Sequence, residues 1–353
     1  MYRFRLFFVR ILTVALSFGL FAPAAEVSAA SSTTTQKRST VTSSKSKKKA
    51  PRYSASKARA RRAKLARARA AARAREAARL RAWREAMTPR FRTDESGALI
   101  PDIRAAAAIV MNAETGEILY ETNAQDKRSI ASITKVMTAL VFLEDDPDLS
   151  QTVVVTRPDV KAASTTFLRV NERLTLEDVL HLTLIASDNA AARILSRVSH
   201  GGTPSFIARM NEKAIELGLQ NTTFADPSGL DADNVSSAYD LSRLIAYAAG
   251  DERISAIMRK PDYRVTTSRR AVTIHSTNRL LARDDIDVRG GKTGFIGKAG
   301  YCIATLVRLP HGEQVAVVIL GARSNTLRFA ETRHLFNWLK DKASAILGTD
   351  KPQ

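Results

Sequence analysis

The chain has 353 residues, 44% apolar and 25% charged, a balance that allows a sizeable core and excludes disorder along the whole length. The net charge of +20 is segregated: residues 31–93 hold 21 lysines and arginines against Glu76 and Glu85, whereas residues 94–353 carry a net of −1, which excludes a basic nucleic-acid-binding fold for the main domain. The lone cysteine, Cys302, excludes an intramolecular disulfide and a cysteine-based zinc site.

Residues 1–29 read as a signal peptide. Arg3, Arg5 and Arg10 precede an apolar or small run from Ile11 to Ala25. Val27-Ser28-Ala29 has the small-x-small form of a cleavage site, with Ala22-Pro23-Ala24 as a second candidate. The other reading is an uncleaved anchor, for which the run is short. Export to the periplasm or cell envelope is expected. Residues 30–93 form a basic segment. Its Ser, Thr and Lys stretch, 31–53, holds too little apolar surface to offset ordering entropy and is expected to be disordered. From Ser54 to Met87 the composition turns to Ala and Arg, which predicts one long helix of roughly 50 Å. Leu65, Leu80 and Trp83 are too sparse to give it an apolar stripe. It reads either as a solvated spacer or as a polycation touching anionic headgroups or wall carboxylates, rather than nucleic acid. Pro89 and the polar stretch to Pro101 mark a linker, set at 94–103, and a folded domain is expected over 104–348.

That domain opens with an apolar run, Ala105–Asn112, a turn at Glu114-Thr115-Gly116-Glu117, and a second strand from Ile118 to Glu121, a hairpin signal. Helical periodicity follows over Ser132–Leu143, Leu174–Ile185, Ala190–Val198, Pro204–Leu217 and Ser237–Ala249. Ala271–His275, Tyr301–Arg308 and Gln314–Leu320 read as strands, and Arg328–Ile346 as a closing helix. Strands at both ends with helices between them predict an α/β (α+β) domain. One antiparallel sheet is built from the two ends and flanked by helices, with a helical cluster inserted between the N- and C-terminal strands.

Three short motifs carry the chemistry: Ser132-Ile133-Thr134-Lys135, Ser187-Asp188-Asn189 and Lys292-Thr293-Gly294. Ser132 and Lys135, at i and i+3 on a helix start, share one face, so the amine reaches the hydroxyl. The helix start also offers free N–H groups to a developing oxyanion. The bland reading of Ser132 is an N-cap, but a lysine buried beside a cap is costly without a chemical role. Ser187-Asp188-Asn189 interrupts two helices, where short polar residues also satisfy helix ends. Gly290 to Gly294 precedes a strand, and glycine at a strand edge allows close backbone approach by a ligand; the bland reading is a turn followed by a strand. The five histidines are scattered, and none points to a Ser-His-Asp triad or a metal site.

Taken together, S-x-x-K, S-x-N and K-T-G are similar to the serine penicillin-recognising enzymes, and the chain resembles the low-molecular-mass penicillin-binding proteins, the D-alanyl-D-alanine carboxypeptidase family. The likeness extends to Ala113–Tyr120, Ala131–Ala139, Met210–Ala214, Pro227-Ser228-Gly229-Leu230 and Ala238-Tyr239-Asp240-Leu241. It implies the DD-peptidase/β-lactamase-like fold and a serine peptidase of cell-wall biogenesis that forms a covalent acyl-enzyme and binds penicillin. In such an enzyme Ser132 is the nucleophile, Lys135 its base and Ser187 the proton relay. Asn189, Lys292, Thr293, Gly294 and Phe295 hold substrate, with the N–H groups of Ser132 and Phe295 as the oxyanion hole. The resemblance implies peptidoglycan peptides as substrate, β-lactams as inhibitors, and no cofactor or metal.

Two departures bear on specificity. His275-Ser276-Thr277-Asn278 keeps only the second Asn of the family's N-x-N, and Ile296 stands where many members carry Thr. The expected activity is D-alanyl-D-alanine carboxypeptidase, with DD-endopeptidase on cross-links as the alternative. A β-lactamase would need a deacylating carboxylate, usually in E-x-x-L-N, and residues 190–291 hold no such string. A non-catalytic wall-binding protein would not need the intact Ser132, Lys135, Ser187 and Lys292.

Overall fold

A computed structural model describes residues 55–346. Residues 1–29, read from the sequence as a signal peptide, and the Ser/Thr/Lys stretch lie outside them. The chain divides into two units within the first helix, one ending at Leu65 and one beginning at Ala66. That helix, α1 (Ala55–Met87), forms where the Ala/Arg composition predicts it. Twelve lysines and arginines and two glutamates are distributed around it, and its side chains are exposed along almost the whole length. None of the described helices is long and apolar enough to cross a membrane.

Next come a hairpin, β1 (Phe91–Thr93) and β2 (Leu99–Pro101), then β3 (Ala107–Asn112), β4 (Ile118–Thr122) and β5 (Arg128–Ser129). A 3₁₀ turn at Ala131–Thr134 runs into α2 (Lys135–Glu144). The inserted block holds β6 (Thr152–Val154), α3 (Arg157–Val160), β7 (Arg173–Thr175), α4 (Leu176–Leu184) and α5 (Asn189–Val198). It continues with α6 (Gly202–Glu216), β8 (Val235–Ser236), α7 (Ala238–Gly250) and α8 (Glu252–Met258). A second hairpin, β9 (Asp262–Thr266) with β10 (Ala271–His275), and a 3₁₀ turn at Arg279–Ala282 lead to β11 (Asp287–Ile296). β12 (Gly300–Arg308), β13 (Gln314–Ala322) and α9 (Asn325–Ile346) close the chain.

The main sheet has the order β11-β12-β13-β3-β4, antiparallel throughout. The two ends of the domain meet where β13 pairs with β3, Val317 opposite Val110. This is the sheet the strand pattern predicts. Its central strands are buried on both faces. On β13, Ala316, Val318 and Leu320 pack with the helical block, whereas Val315, Val317 and Ile319 pack with Leu335, Phe336 and Leu339 of α9. Burial on both sides explains why these strands read as continuous apolar runs rather than alternating ones. Within the block, α2 is buried all round from Lys135 to Leu143, as expected of a helix at the centre of a core.

Three local features differ from the sequence reading. The stretch taken as a linker folds as β1–β2, with Asp94 Oδ1 accepting the amides of Ser96 and Ala98 at 2.9 Å. Trp338 Nε1 donates to Leu99 O (3.3 Å) and Tyr120 O–H to Pro101 O (3.0 Å), tying the hairpin down. Three-residue strands are too short to show a period of two. The α-helix begins at Lys135, not Ser132, because the preceding four residues form the tighter 3₁₀ turn. Gly290 to Gly294 lie inside β11, paired with β12, rather than ahead of a strand.

Gly294 shows why glycine is needed there: a Cβ would fall 2.6 Å from the Ile130 carbonyl oxygen and 3.1 Å from the Ser132 nitrogen. β11 thus lies directly against the turn that carries Ser132. Gly294→Ala is expected to force the two apart and destabilise the domain by about 1–3 kcal/mol, the usual cost of overpacking. That lowers Tm by several degrees for a domain of this size. Calorimetry showing a wild-type Tm would contradict this close approach.

Candidate active site

Ser132 sits in the 3₁₀ turn, which the chain enters through Ala131 at φ +50°. In a 3₁₀ helix residues i and i+3 eclipse, so the S-x-x-K spacing stacks Lys135 on Ser132. Lys135 Nζ lies 2.9 Å from Ser132 Oγ. It also donates to Asn189 Oδ1 at 2.6 Å and to the Ser228 carbonyl at 2.5 Å. Asn189 Nδ2 is engaged with the Ala163 carbonyl at 2.7 Å, so the Asn189 oxygen is the atom facing the amine. Two acceptors therefore hold two N–H bonds of Lys135, and the remaining tetrahedral position points at Ser132. In the neutral amine that position is a lone pair.

Burial favours the neutral form. Lys135 is completely buried, and burial pulls its pKa from the ordinary lysine value down to about 7. Asp188 and Asp226 oppose the shift and Arg193 adds to it. A substantial fraction of the side chain is then an unprotonated base at neutral pH.

In the second motif one residue caps a helix and two line the cleft. Asp188 caps α5, accepting Ala191 N at 3.0 Å, and also accepts Phe167 N at 2.6 Å. Ser187, at φ +59°, and Asn189 flank that cap and line the cleft. The third motif lies on β11. Lys292 is buried, and its Nζ donates to the Thr293 carbonyl at 3.0 Å. Burial, then the charges of Lys135 and Arg328, push its pKa well below the ordinary lysine value. Thr293 Oγ1 donates to Thr277 Oγ1 at 2.6 Å. Phe295 is exposed at the rim and stacked on Tyr301 with centroids 4.2 Å apart.

The cleft has a volume of about 470 Å³ and is lined by Ser132, Ser187, Asn189, Thr293, Gly294 and Phe295. Of the other two residues picked from the sequence, Lys135 stands behind Ser132. Lys292 is the neighbouring buried amine on β11, whose pKa is pushed down first by burial. Sequence reasoning missed Thr277, Leu230, Ser164 and Arg328, which also line the cleft. Thr277 lies within the His275-Ser276-Thr277-Asn278 string that departs from the family's N-x-N. Arg328, on α9, gave no signal. Its Nη1 donates to the Gly294 and Cys302 carbonyls at 2.9 and 3.0 Å, and its Nε has no partner.

A serine held against a buried amine, with a second serine and a glycine-bearing strand lining the cleft, defines an enzyme of the active-site-serine acyl-transfer class. The family profile described as D-alanyl-D-alanine carboxypeptidase matches residues 94–324, and the chain belongs to that family of serine peptidases. It is 32% identical over 250 residues to a D-alanyl-D-alanine endopeptidase of Escherichia coli, covering 68% of this chain and 78% of the relative. It is 31% identical over 241 residues to a D-alanyl-D-alanine carboxypeptidase of Bacillus subtilis, covering 66% and 61%. Among solved structures it is similar to the Streptomyces K15 DD-transpeptidase, with a TM-score of 0.64 and 28% identity over 67% of this chain and 97% of that one. Penicillin-binding protein D2 of Listeria monocytogenes, solved in a cefotaxime-bound form, gives a TM-score of 0.60 and 30% identity over 67% and 97%. The fold is thus the one the resemblance implied.

The pH dependence follows from the position of Lys135. A base is active when unprotonated, so acylation by a labelled penicillin should be fast above the Lys135 pKa and fall about tenfold per pH unit well below it. The inflection is expected near 7. Lys135→Arg should be inactive at every pH, because guanidinium does not deprotonate in this range. An active Arg variant would exclude proton abstraction by this residue.

Proposed function

We propose that the protein is a serine-type D-alanyl-D-alanine carboxypeptidase acting on peptidoglycan stem peptides. The observation that carries the proposal is the buried Lys135 amine, fixed by Asn189 and Ser228 and aimed at Ser132 Oγ. Ser132 Oγ attacks the carbonyl of the penultimate D-alanine while its proton passes to Lys135. The tetrahedral oxyanion is received by the N–H groups of Ser132 and Phe295. Ser187 delivers its proton to the leaving amine and takes the one held by Lys135, the C–N bond breaks, and the acyl group remains on Ser132. The amine, neutral again, deprotonates water, which attacks the ester carbonyl, and the proton returns to Ser132 Oγ as the shortened peptide leaves. Asn189 positions the substrate amide. Lys292 stands beside the cleft as a buried N–H donor that holds the Thr293 carbonyl, and Thr293 meets the carboxylate of the departing residue. Arg328 supports such a carboxylate subsite: it is a buried cation at the cleft, and no described carboxylate pairs with it.

A second reading is favoured by one residue. Ile296 lines the cleft two positions beyond Gly294, where an apolar side chain gives a charged terminus fewer partners than a hydroxyl. This suits a longer, cross-linked strand, and the relatives named endopeptidase accord with it. The enzyme should be offered monomeric pentapeptide muropeptides and cross-linked dimers side by side. Release of free D-alanine from monomers is expected of a carboxypeptidase. Conversion of dimers to monomers with no D-alanine released would establish the endopeptidase instead, and Ile296→Thr should then restore D-alanine release. Ser132→Ala should abolish both activities and penicillin labelling, losing on the order of 10⁶ in turnover.

Residues 1–29 would direct the chain to the periplasm or envelope. The basic segment would then meet wall carboxylates or anionic lipid through α1, whose twelve cations stand in solvent. Deleting residues 31–87 should leave turnover of a small soluble D-Ala-D-Ala peptide unchanged. Binding to isolated sacculi at low salt should weaken, because the attraction is screened and charge-borne. Equal binding by the two forms would leave the segment as a spacer.

A further inference from the structure

The loop between α6 and β8 holds a carboxylate that the mechanism does not use. Asp226 Oδ1 accepts the amide of Gly229 at 2.5 Å, the amide of Ser228 at 2.7 Å and Asn234 Nδ2 at 3.3 Å. Its Oδ2 accepts the amide of Asp231 at 2.9 Å, and the Ser228 hydroxyl lies 3.3 Å from both oxygens. The loop is thus wrapped around one side chain.

The backbone consequence reaches the nucleophile. With the amides of Ser228 and Gly229 drawn to Asp226, the Ser228 carbonyl faces α2. There it accepts Lys135 Nζ at 2.5 Å and lies 3.5 Å from Ser132 Oγ. Gly229 adopts φ +77°, and a Cβ there would fall 2.0 Å from the Ala131 carbonyl oxygen, so the loop packs against the 3₁₀ turn with no space to spare. Thr138 Oγ1 holds the Pro227 carbonyl at 2.6 Å, and Ile130 N donates to Asn234 O at 3.1 Å. Both ends of the loop are therefore fastened to the segment that carries Ser132 and Lys135.

We infer that Asp226 is a positioning residue of acyl transfer: by gathering the Ser228 and Gly229 amides it aims the Ser228 carbonyl at Lys135 and so keeps the free position of the amine on Ser132. The inference rests on the assignment of Ser132 and Lys135 as nucleophile and base. The charged groups that act on Lys135 are Asp188 at the start of α5, Asp226 in this loop and Arg193 on α5, with Lys292 on β11 as the neighbouring buried amine. Asp226 is one of two carboxylates favouring the ammonium. Its neutralisation should make Lys135 easier to deprotonate while leaving it less well aimed.

The test is acylation by a fluorescent penicillin from pH 5 to 9, normalised to the folded fraction, for wild type, Asp226→Asn, Asp226→Glu and Asp231→Asn. Asp226→Asn should lower the high-pH plateau by as much as about 100-fold, the cost of an ångström-scale misplacement, and move the acid limb to lower pH. Asp226→Glu keeps the charge but displaces it, so its plateau should fall while the limb stays near the wild-type position. Asp231→Asn should change neither. A folded Asp226→Asn with wild-type plateau and limb overturns the inference. So does a reduced plateau with an unmoved limb, which marks a merely structural residue. If Asp226→Asn does not fold, a wild-type plateau for Asp226→Glu overturns it. A wild-type protein that takes no label at any pH defeats the assignment of Ser132 and Lys135 instead.

Discussion

The site depends on a lysine amine buried without a carboxylate in contact. An ε-ammonium placed in a protein interior loses its hydration, and the usual remedy is an adjacent ion pair. Here the contacts of Lys135 are a hydroxyl, a side-chain amide oxygen and a main-chain carbonyl. These satisfy its N–H groups but do not neutralise a charge. Bringing its pKa to about 7 means that the interior disfavours the ammonium relative to water by something on the order of 5 kcal/mol, at about 1.4 kcal/mol per pH unit. That penalty is borne by the surrounding core, above all by α2, whose first nine residues are all buried. The result is an amine that is unprotonated in a substantial fraction of molecules at neutral pH beside a serine, with no histidine among its described contacts.

The antiparallel sheet supplies the opposite wall of the cleft. β11 sits at its edge and packs against the 3₁₀ turn, an approach that Gly294 permits. The sheet is held from both sides, by the helical block on one face and α9 on the other. The strand is therefore a rigid ruler against which Ser132 is set. Arg328 extends this logic, since its guanidinium from α9 clasps the carbonyls of Gly294 and Cys302 on adjacent strands. It faces the cleft as well, so the element that covers the far side of the sheet also contributes a cation to the site.

The fold and the motif residues were legible in the sequence because each left a local mark. Apolar runs marked β3, β12 and β13, helical periods marked α2 and α4 to α7, and the i, i+3 spacing placed Lys135 on Ser132. What stayed hidden depends on atoms without a sequence signature. The Ser228 carbonyl, a principal partner of Lys135, is main chain, and nothing in the string Pro227-Ser228-Gly229-Leu230 says where a carbonyl points. Arg328 comes from a helix thirty-four residues past Gly294 in sequence, and its role appears only when α9 is laid across the strand edge. The β1–β2 hairpin escaped because three-residue strands have no period. β11 stayed hidden because its glycines, which serve close packing, are also common residues of turns.

The central claim is the ionisation state of one amine, and it is open to direct observation. Lysine labelled with ¹³C at the ε-carbon can be titrated by NMR in the folded protein, with the Lys135 resonance assigned by its absence from Lys135→Arg. The account predicts a midpoint near 7, far from the ordinary lysine value of about 10.4. A midpoint at the ordinary value, in protein that still acylates at neutral pH, would show that burial does not neutralise Lys135 and that the proton of Ser132 goes elsewhere.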